Sequence, residues 1–235
     1  MQDFSEFIRS RRSTRDFKTD PIPKELLDQV LEDAKWSPSW SNTHPYFLAV
    51  AQGEKLELIK KELLELFDIA YPAVVGGKWQ KVKLFFTRPG WPDGDYRTYF
   101  KYPPRLQKFR VATGKAIYEF LGIKRDDAKG RELWWRHNYE FFNAPCAIFV
   151  FVHSKMREYS ILDAGIFLQS FMLSAEAHGL GTCAQGTLAT WAGPIRKNFE
   201  IPEDYKLIVG VSVGYKSDVP INKFNAGRRD LDISF

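Results

Sequence analysis

Three guanidinium groups and two hydroxyls fall within five residues at Arg11-Arg12-Ser13-Thr14-Arg15. So many donors in one place suit a phosphate, which is held by forked, charge-assisted hydrogen bonds. A solvated helix end is the plainer account, because basic side chains near a helix C-terminus are common for dipole reasons alone. Downstream, Ser37-Pro38-Ser39-Trp40-Ser41-Asn42-Thr43-His44-Pro45 is a polar loop rich in groups that can hydrogen-bond the edge of a heterocycle. Built from Ser, Asn and Pro, it also reads as an ordinary capping turn. His44 before Pro45 reads as a turn residue, and no Ser or Cys nucleophile stands with a base at recognisable spacing. No acid–base triad is therefore expected.

The C-terminal half carries Asp163-Ala164-Gly165, read as the opening of a helix, and then His178-Gly179-Leu180-Gly181-Thr182-Cys183-Ala184-Gln185-Gly186. Gly179 suits a left-handed C-cap, and Gly181 and Gly186 would let backbone approach a flat ligand. Neither a G-x-G-x-x-G turn nor a G-K-[ST] loop is present, which disfavours dinucleotide folds and P-loops. Close to the end stand Asn225 and the pair Arg228-Arg229, by themselves a solvated tail.

These residues need a scaffold. A chain of 235 residues, 44% hydrophobic and 15% aromatic, can bury a sizeable core, and one elaborated domain over 1–235 is expected. Residues 1–12, beginning at Met1, hold Asp3 and Glu6 and lack the apolar run of a secretory signal. The longest apolar stretch, 144–152, is far short of the ~20 residues that span a bilayer. Cys146 and Cys183 have no C-x-x-C spacing, which points to two reduced thiols and a cytoplasmic setting, with no metal site. The balance of 34 basic against 29 acidic residues leaves +5, favouring anionic ligands where basic residues cluster.

Apolar residues at helical spacing mark helices over 4–8, 24–36, 54–67, 106–121, 131–142 and 161–178. Strands are expected over 46–51, 146–152 and 207–215. From 71 to 104 the pattern breaks up, with Pro72, Gly76, Gly77, Pro89, Gly90, Pro92, Gly94, Pro103 and Pro104 among Trp79, Phe85, Phe86, Trp91, Tyr96, Tyr99 and Phe100. Its aromatic density argues for an ordered insert. The strands are separated by helical segments, so the fold is α+β, a small sheet wrapped by helices.

Taken in order, the Arg-Arg-Ser-Thr-Arg start, the Ser-Pro-Ser-Trp-Ser-Asn-Thr-His-Pro loop, Gly-Leu-Gly-Thr-Cys-Ala-Gln-Gly after a long helix, and the late Gly-Tyr, Asn and Arg-Arg resemble the FMN-dependent nitroreductase family over nearly the full chain. The resemblance implies a small, mostly antiparallel central sheet and an intertwined homodimer, with 71–104 as a variable insert shaping the acceptor site. It implies that Arg11, Arg12, Ser13 and Arg15, joined by Arg228, bind the FMN phosphate and ribityl chain. Pro38, Ser39, Trp40 and Asn42 would reach the flavin from the partner subunit, Gln185 and Gly186 would lie at the isoalloxazine, and Asn138 would add a contact. Trp40 is bulkier than the residue usual in that loop, and Asn225 replaces a basic residue common among relatives.

The implied activity is ping-pong reduction of nitroaromatic or related small acceptors, with NADH or NADPH delivering hydride to the flavin. Flavin or quinone reduction and reductive dehalogenation are open to the same family. A non-enzymatic nucleic-acid-binding module ranks below these, because the aromatics are not interleaved with the basic clusters as stacking platforms are.

Overall fold

A computed structural model describes residues 3–76, 78–87, 90–98 and 100–234; Met1, Gly77, Pro89 and Tyr99, all read above, lie outside the described residues. The amphipathic stretches form α1 (Phe4–Ser10), α2 (Lys24–Lys35), α3 (Gly53–Val75), α4 (Lys78–Thr87), α5 (Pro104–Phe120), α6 (Ala128–Tyr139), α7 (Arg157–Ala177) and α8 (Gly193–Asn198). The strands are β1 (Tyr46–Gln52), β2 (Cys146–His153), β3 (Gly181–Gln185) and β4 (Tyr205–Gly214). They build one sheet in the order β1-β2-β4-β3, each adjacent pair antiparallel.

Alternation along the strands sorts the core into two layers. On one face Ala147, Phe149 and Phe151 of β2 meet Leu56, Ile59, Leu63 and Phe67 of α3. On the other, Cys146 and Ile148 with Val211 and Val213 of β4 meet Val30 and Ala34 of α2 and Phe167, Phe171 and Ala175 of α7. Both faces of β2 are thus buried, which is why its sequence is a continuous apolar run. The sheet lies between two helical layers, in agreement with the α+β expectation.

Four readings need correction. The break at 71 comes too early: α3 continues through Pro72 to Val75, because its inner face persists in Ala70 and Ala73. Residues 78–87 then form α4, so only 90–98 and the approach to α5 are irregular among the described residues of the insert. Asp163 lies inside α7, which starts at Arg157, and does not open it. The run after Gly179, to which the sequence reading gave no strand, is β3, and Gly179 takes the left-handed conformation at the helix end (φ 79°).

The N-terminal segment extends the sheet edge. Ser13 forms a parallel bridge with Thr182, and the Thr14 amide donates to the Thr182 carbonyl at 3.0 Å. Farther on, Phe17 is buried and its amide donates to the Phe142 carbonyl, while that of Lys18 donates to Tyr215. Gly181 makes this docking possible: a Cβ there would lie 2.4 Å from Thr14 Oγ1 and 2.8 Å from Lys216 Cγ. The close approach expected at Gly181 is therefore to the chain's own N-terminal segment rather than to a flat ligand.

Candidate functional site

Docking residues 13–18 against β3 brings the basic run beside the C-terminal segment. A cavity of about 350 Å³ results, lined by Arg9, Arg11, Arg12, Ser13 and Arg15 on one side and Phe224, Asn225, Gly227 and Arg228 on the other. No Asp or Glu is among its lining residues. Burial, and next the Arg228 charge, hold the Arg11 guanidinium below its ordinary pKa. Crowding of like charges beside a cavity is unfavourable unless an anion occupies it.

The pocket's shape is fixed by a bracket that the sequence reading missed. The Asn222 side chain accepts from the Arg15 amide at 2.8 Å and donates to the Asp16 carbonyl at 2.7 Å and the Ser217 carbonyl at 3.0 Å. One carboxylate oxygen of Asp16 accepts from Asn143 at 2.9 Å. The Arg15 guanidinium stands 5.7 Å from the Phe224 ring centre, a cation–π distance that aligns it with the pocket wall. A lone Asn after a Val-Pro turn gives no sequence signal; only its partners reveal the role.

Behind the wall sits the Cys183 thiol, hydrogen-bonded by Ser13 and buried. Burial pushes its pKa up to about 11 despite the nearby Arg15 and Arg11 charges, and pushes Cys146 up to about 12. Both thiols stay protonated at neutral pH, so neither is a nucleophile.

From Thr182 the strand runs roughly 13 Å, at ~3.3 Å per residue, to Gly186. Gly186 is exposed, with nothing within 4 Å of where a Cβ would stand. The Gln185 side chain is spent inward: it donates to the Asn138 carbonyl at 2.9 Å and accepts from Ser212 Oγ. Gln185 is buried, so the backbone that is open here is that of Gly186, and Asn138, whose side chain donates to the Trp134 carbonyl at 3.2 Å, is brought to the same place.

Pro38, Ser39, Trp40 and Asn42 lie elsewhere. Their loop precedes β1, at the sheet edge opposite the one the arginine segment extends, with three interstrand spacings or roughly 14 Å between. Both Asp163 carboxylate oxygens accept from the Trp40 amide at 3.1 Å, and the Trp40 ring lies 4.3 Å from that of Tyr159. Ser41, Asn42 and His44 all take positive φ (51°, 56° and 46°), which non-glycine residues adopt at a cost. The strained loop is locked by His44 to Asn42 at 2.9 Å and by the His44 amide to Ser39 Oγ at 2.9 Å. It holds Trp40 outward, 53% exposed.

Among the described residues no helix is long and apolar enough to cross a membrane, and no group of three or more His, Cys, Asp or Glu side chains could hold a metal ion.

The structure is a helix-wrapped antiparallel sheet with a carboxylate-free arginine pocket at one edge and open backbone one strand length away, an arrangement whose chemistry suits an elongated molecule with an anionic end. The particular family follows from comparison: residues 8–215 match the model of the Nitroreductase family, and the chain belongs to it. Its sequence is 31% identical over 214 residues to a 4-nitrobenzoate reductase of Nocardioides sp. (strain LMS-CY), covering 91% of this chain and 80% of that one. With a chloronitrobenzene nitroreductase of Comamonas testosteroni it shares 29% identity over 97% of this chain and 93% of the other. The fold matches that of the FMN and NADPH-dependent nitroreductase NfnB from sphigopyxis sp. strain HMH with a TM-score of 0.83, at 27% identity and 98% coverage of both chains. The chain thus has the nitroreductase-like fold.

Proposed function

We propose that the chain is an FMN-dependent oxidoreductase that uses NADH or NADPH to reduce nitroaromatic or related small organic acceptors. The observation that carries this reading is the arginine pocket. Its guanidiniums are gathered without a lining carboxylate, as a dianionic phosphate requires, in a chain of the Nitroreductase family. Arg11, Arg12, Ser13, Arg15 and Arg228 would hold the phosphate and ribityl chain. Gly186 would offer backbone to the ring, with Gln185 and Asn138 behind it. When bound, FMN supplies hydride acceptance from a nicotinamide and onward two-electron transfer.

The protein's own part is to bind, orient and admit. Its arginines neutralise the phosphate, the Asn222 bracket fixes where they stand, and the open space at Gly186 leaves room for a flat donor or acceptor. In net terms, hydride from the nicotinamide and a proton from solvent take a nitro group to nitroso with loss of water. Donor and acceptor use the same space in turn, so double-reciprocal plots should give parallel lines, and intersecting lines would count against a shared site.

The strained loop supports a second part of the reading. Pro38, Ser39, Trp40 and Asn42 are held outward on the far side of their own chain's sheet, where a partner subunit's pocket can receive them. The working form is then a homodimer in the cytoplasm, each chain one FMN-binding domain over 1–235 with a variable insert at about 71–104. The names of the relatives point to both charged and neutral nitroaromatics, and so leave the charge of the acceptor open.

The deciding experiment is the anaerobic visible spectrum of the purified protein before and after NADH or NADPH. Flavin bands that bleach on addition are expected, and the faster donor is thereby identified. A colourless protein that takes up no FMN and consumes no nicotinamide overturns the reading. Steep salt-dependent binding to nucleic acid would then put the binding module in its place.

A further inference from the structure

Three consecutive non-glycine residues between α6 and β2, Phe141, Phe142 and Asn143, take left-handed φ (54°, 55° and 66°). A bulky residue such as phenylalanine rarely adopts that conformation, and it does so at a cost that the surroundings must enforce. Both rings are buried here. Phe141 meets Phe149 of β2 with ring centres 6.1 Å apart, and Phe142 meets Trp134 of α6 at 5.8 Å. Strain held in this way points to a contact that a relaxed connection would not make.

That contact is a clamp on the segment just after the arginine run. The Phe142 carbonyl accepts from the Phe17 amide at 3.0 Å, and the Asn143 side-chain amide donates to Asp16 Oδ1 at 2.9 Å. The other Asp16 oxygen accepts from Ser217 Oγ, and His137 Nε2 of α6 stands 3.7 Å from the first. Through Asp16 the turn reaches Arg15, the preceding residue and part of the wall of the arginine pocket. On its other side the turn continues from α6, where the Asn138 carbonyl accepts from the Gln185 side chain at 2.9 Å, next to Gly186. The short stretch 138–143 thus joins the phosphate end of the proposed site to its ring end.

We infer that Asn143 is a positioning residue for the cofactor: its left-handed backbone aims the side chain at Asp16, and that bond sets where the Arg15 guanidinium meets the phosphate. This rests on the FMN-binding reading given above. Asn143 is not among the residues that line the pocket, so its effect passes through Asp16. The signature is selective. Loss of the bond should weaken the hold on the phosphate and leave the contacts of the ring at Gly186 as they are. A turn that only connected α6 to β2 would, when weakened, lower the melting temperature and treat all flavins alike.

The test titrates the FMN-free chain, at one protein concentration, with FMN and with riboflavin, which has the same ring and ribityl chain but no phosphate. Quenching of flavin fluorescence is followed well below the melting temperature. In Asn143→Gly the left-handed backbone is kept at no steric cost while the side chain is lost. Its FMN affinity should fall about three- to tenfold, the worth of one partly exposed hydrogen bond, with riboflavin affinity unchanged. Asn143→Asp also tolerates left-handed φ but sets a second carboxylate against Asp16, and should lose at least as much. The swap Asp16→Asn, Asn143→Asp restores an amide-to-carboxylate bond between the two positions and should recover part of that loss. An unchanged FMN-to-riboflavin ratio in Asn143→Gly, or no recovery in the swap, overturns the inference and leaves the turn a structural connection. A wild-type chain that binds FMN no more tightly than riboflavin overturns the phosphate-pocket reading itself, and the inference falls with it.

Discussion

Arg228 comes from the exposed C-terminal segment, whereas Arg11, Arg12 and Arg15 come from a segment docked on the sheet. The two groups repel, and the Arg228 charge adds to burial, the larger cause, in lowering the pKa of Arg11. Removing Arg228 should therefore cost the empty protein nothing while weakening its hold on a phosphate. For Arg228→Gln we expect an unchanged melting temperature of the FMN-free protein. FMN affinity should fall roughly ten- to hundredfold, the equivalent of one charge-assisted hydrogen bond of ~1.5–3 kcal/mol. Flavin fluorescence quenching and thermal melting check the two halves separately. Wild-type affinity in the variant would remove Arg228 from the site. The guanidinium cluster was legible in the sequence because arginines close in sequence stay close in space. The Asn222 and Asp16 bracket was not, because its partners are some two hundred residues apart and only the fold joins them.

Among the elements, the long helices over the sheet were readable from a buried apolar stripe, whereas α4 was not. Val30 and Ala34 in α2 and Ile59 and Leu63 in α3 recur at helical spacing because a sheet face lies beneath them. By contrast α4 packs less of itself inward, with Trp79, Val82 and Phe86 exposed, and its helical period is obscured. β3 is spelled Gly-Thr-Cys-Ala-Gln, with little intrinsic strand preference; it becomes a strand because β4 pairs with it on one side and the Ser13 segment crowds the other. The strap over 90–98 is likewise made by partners. Asp95, its side chain only 13% exposed, holds Arg196 and Lys206, so Asp95→Asn should destabilise the fold. Discounted for the exposure of both cations, the loss is about 1–3 kcal/mol, or a melting temperature lower by several degrees. Asp232→Asn is the control, since its pairs with Arg105 and Arg229 are solvent-exposed and worth at most ~1 kcal/mol. Equal melting temperatures for the two variants would show that the strap is not braced through Asp95.

At the scale of the whole molecule, the accessible surface argues for a second subunit. A monomer of 27.3 kDa follows a size law that gives about 10,900 Å². This chain exposes 14698 Å². The excess, roughly 3,800 Å² on this one chain by that law, is larger than the per-partner share of a typical obligate interface, roughly 1,000–2,500 Å². It includes α5, a 17-residue helix with no buried residue that exposes Leu106, Phe109, Val111 and Phe120. A helix of that length with no buried residue is marginal in water, and packing by a partner would add to its intrachain contacts through Tyr118 and Phe120. If the partner also delivers Pro38 to Asn42 onto the flavin, dimerisation and cofactor binding are one linked equilibrium, and each must strengthen the other by the same factor. Sedimentation should give twice the 27.3 kDa chain mass for the FMN-loaded protein. Stripping the FMN should weaken the dimer, and dilution should release FMN together with monomer. A monomer that keeps FMN at full affinity would break the linkage, and would assign the outward-held Trp40 loop to some other surface.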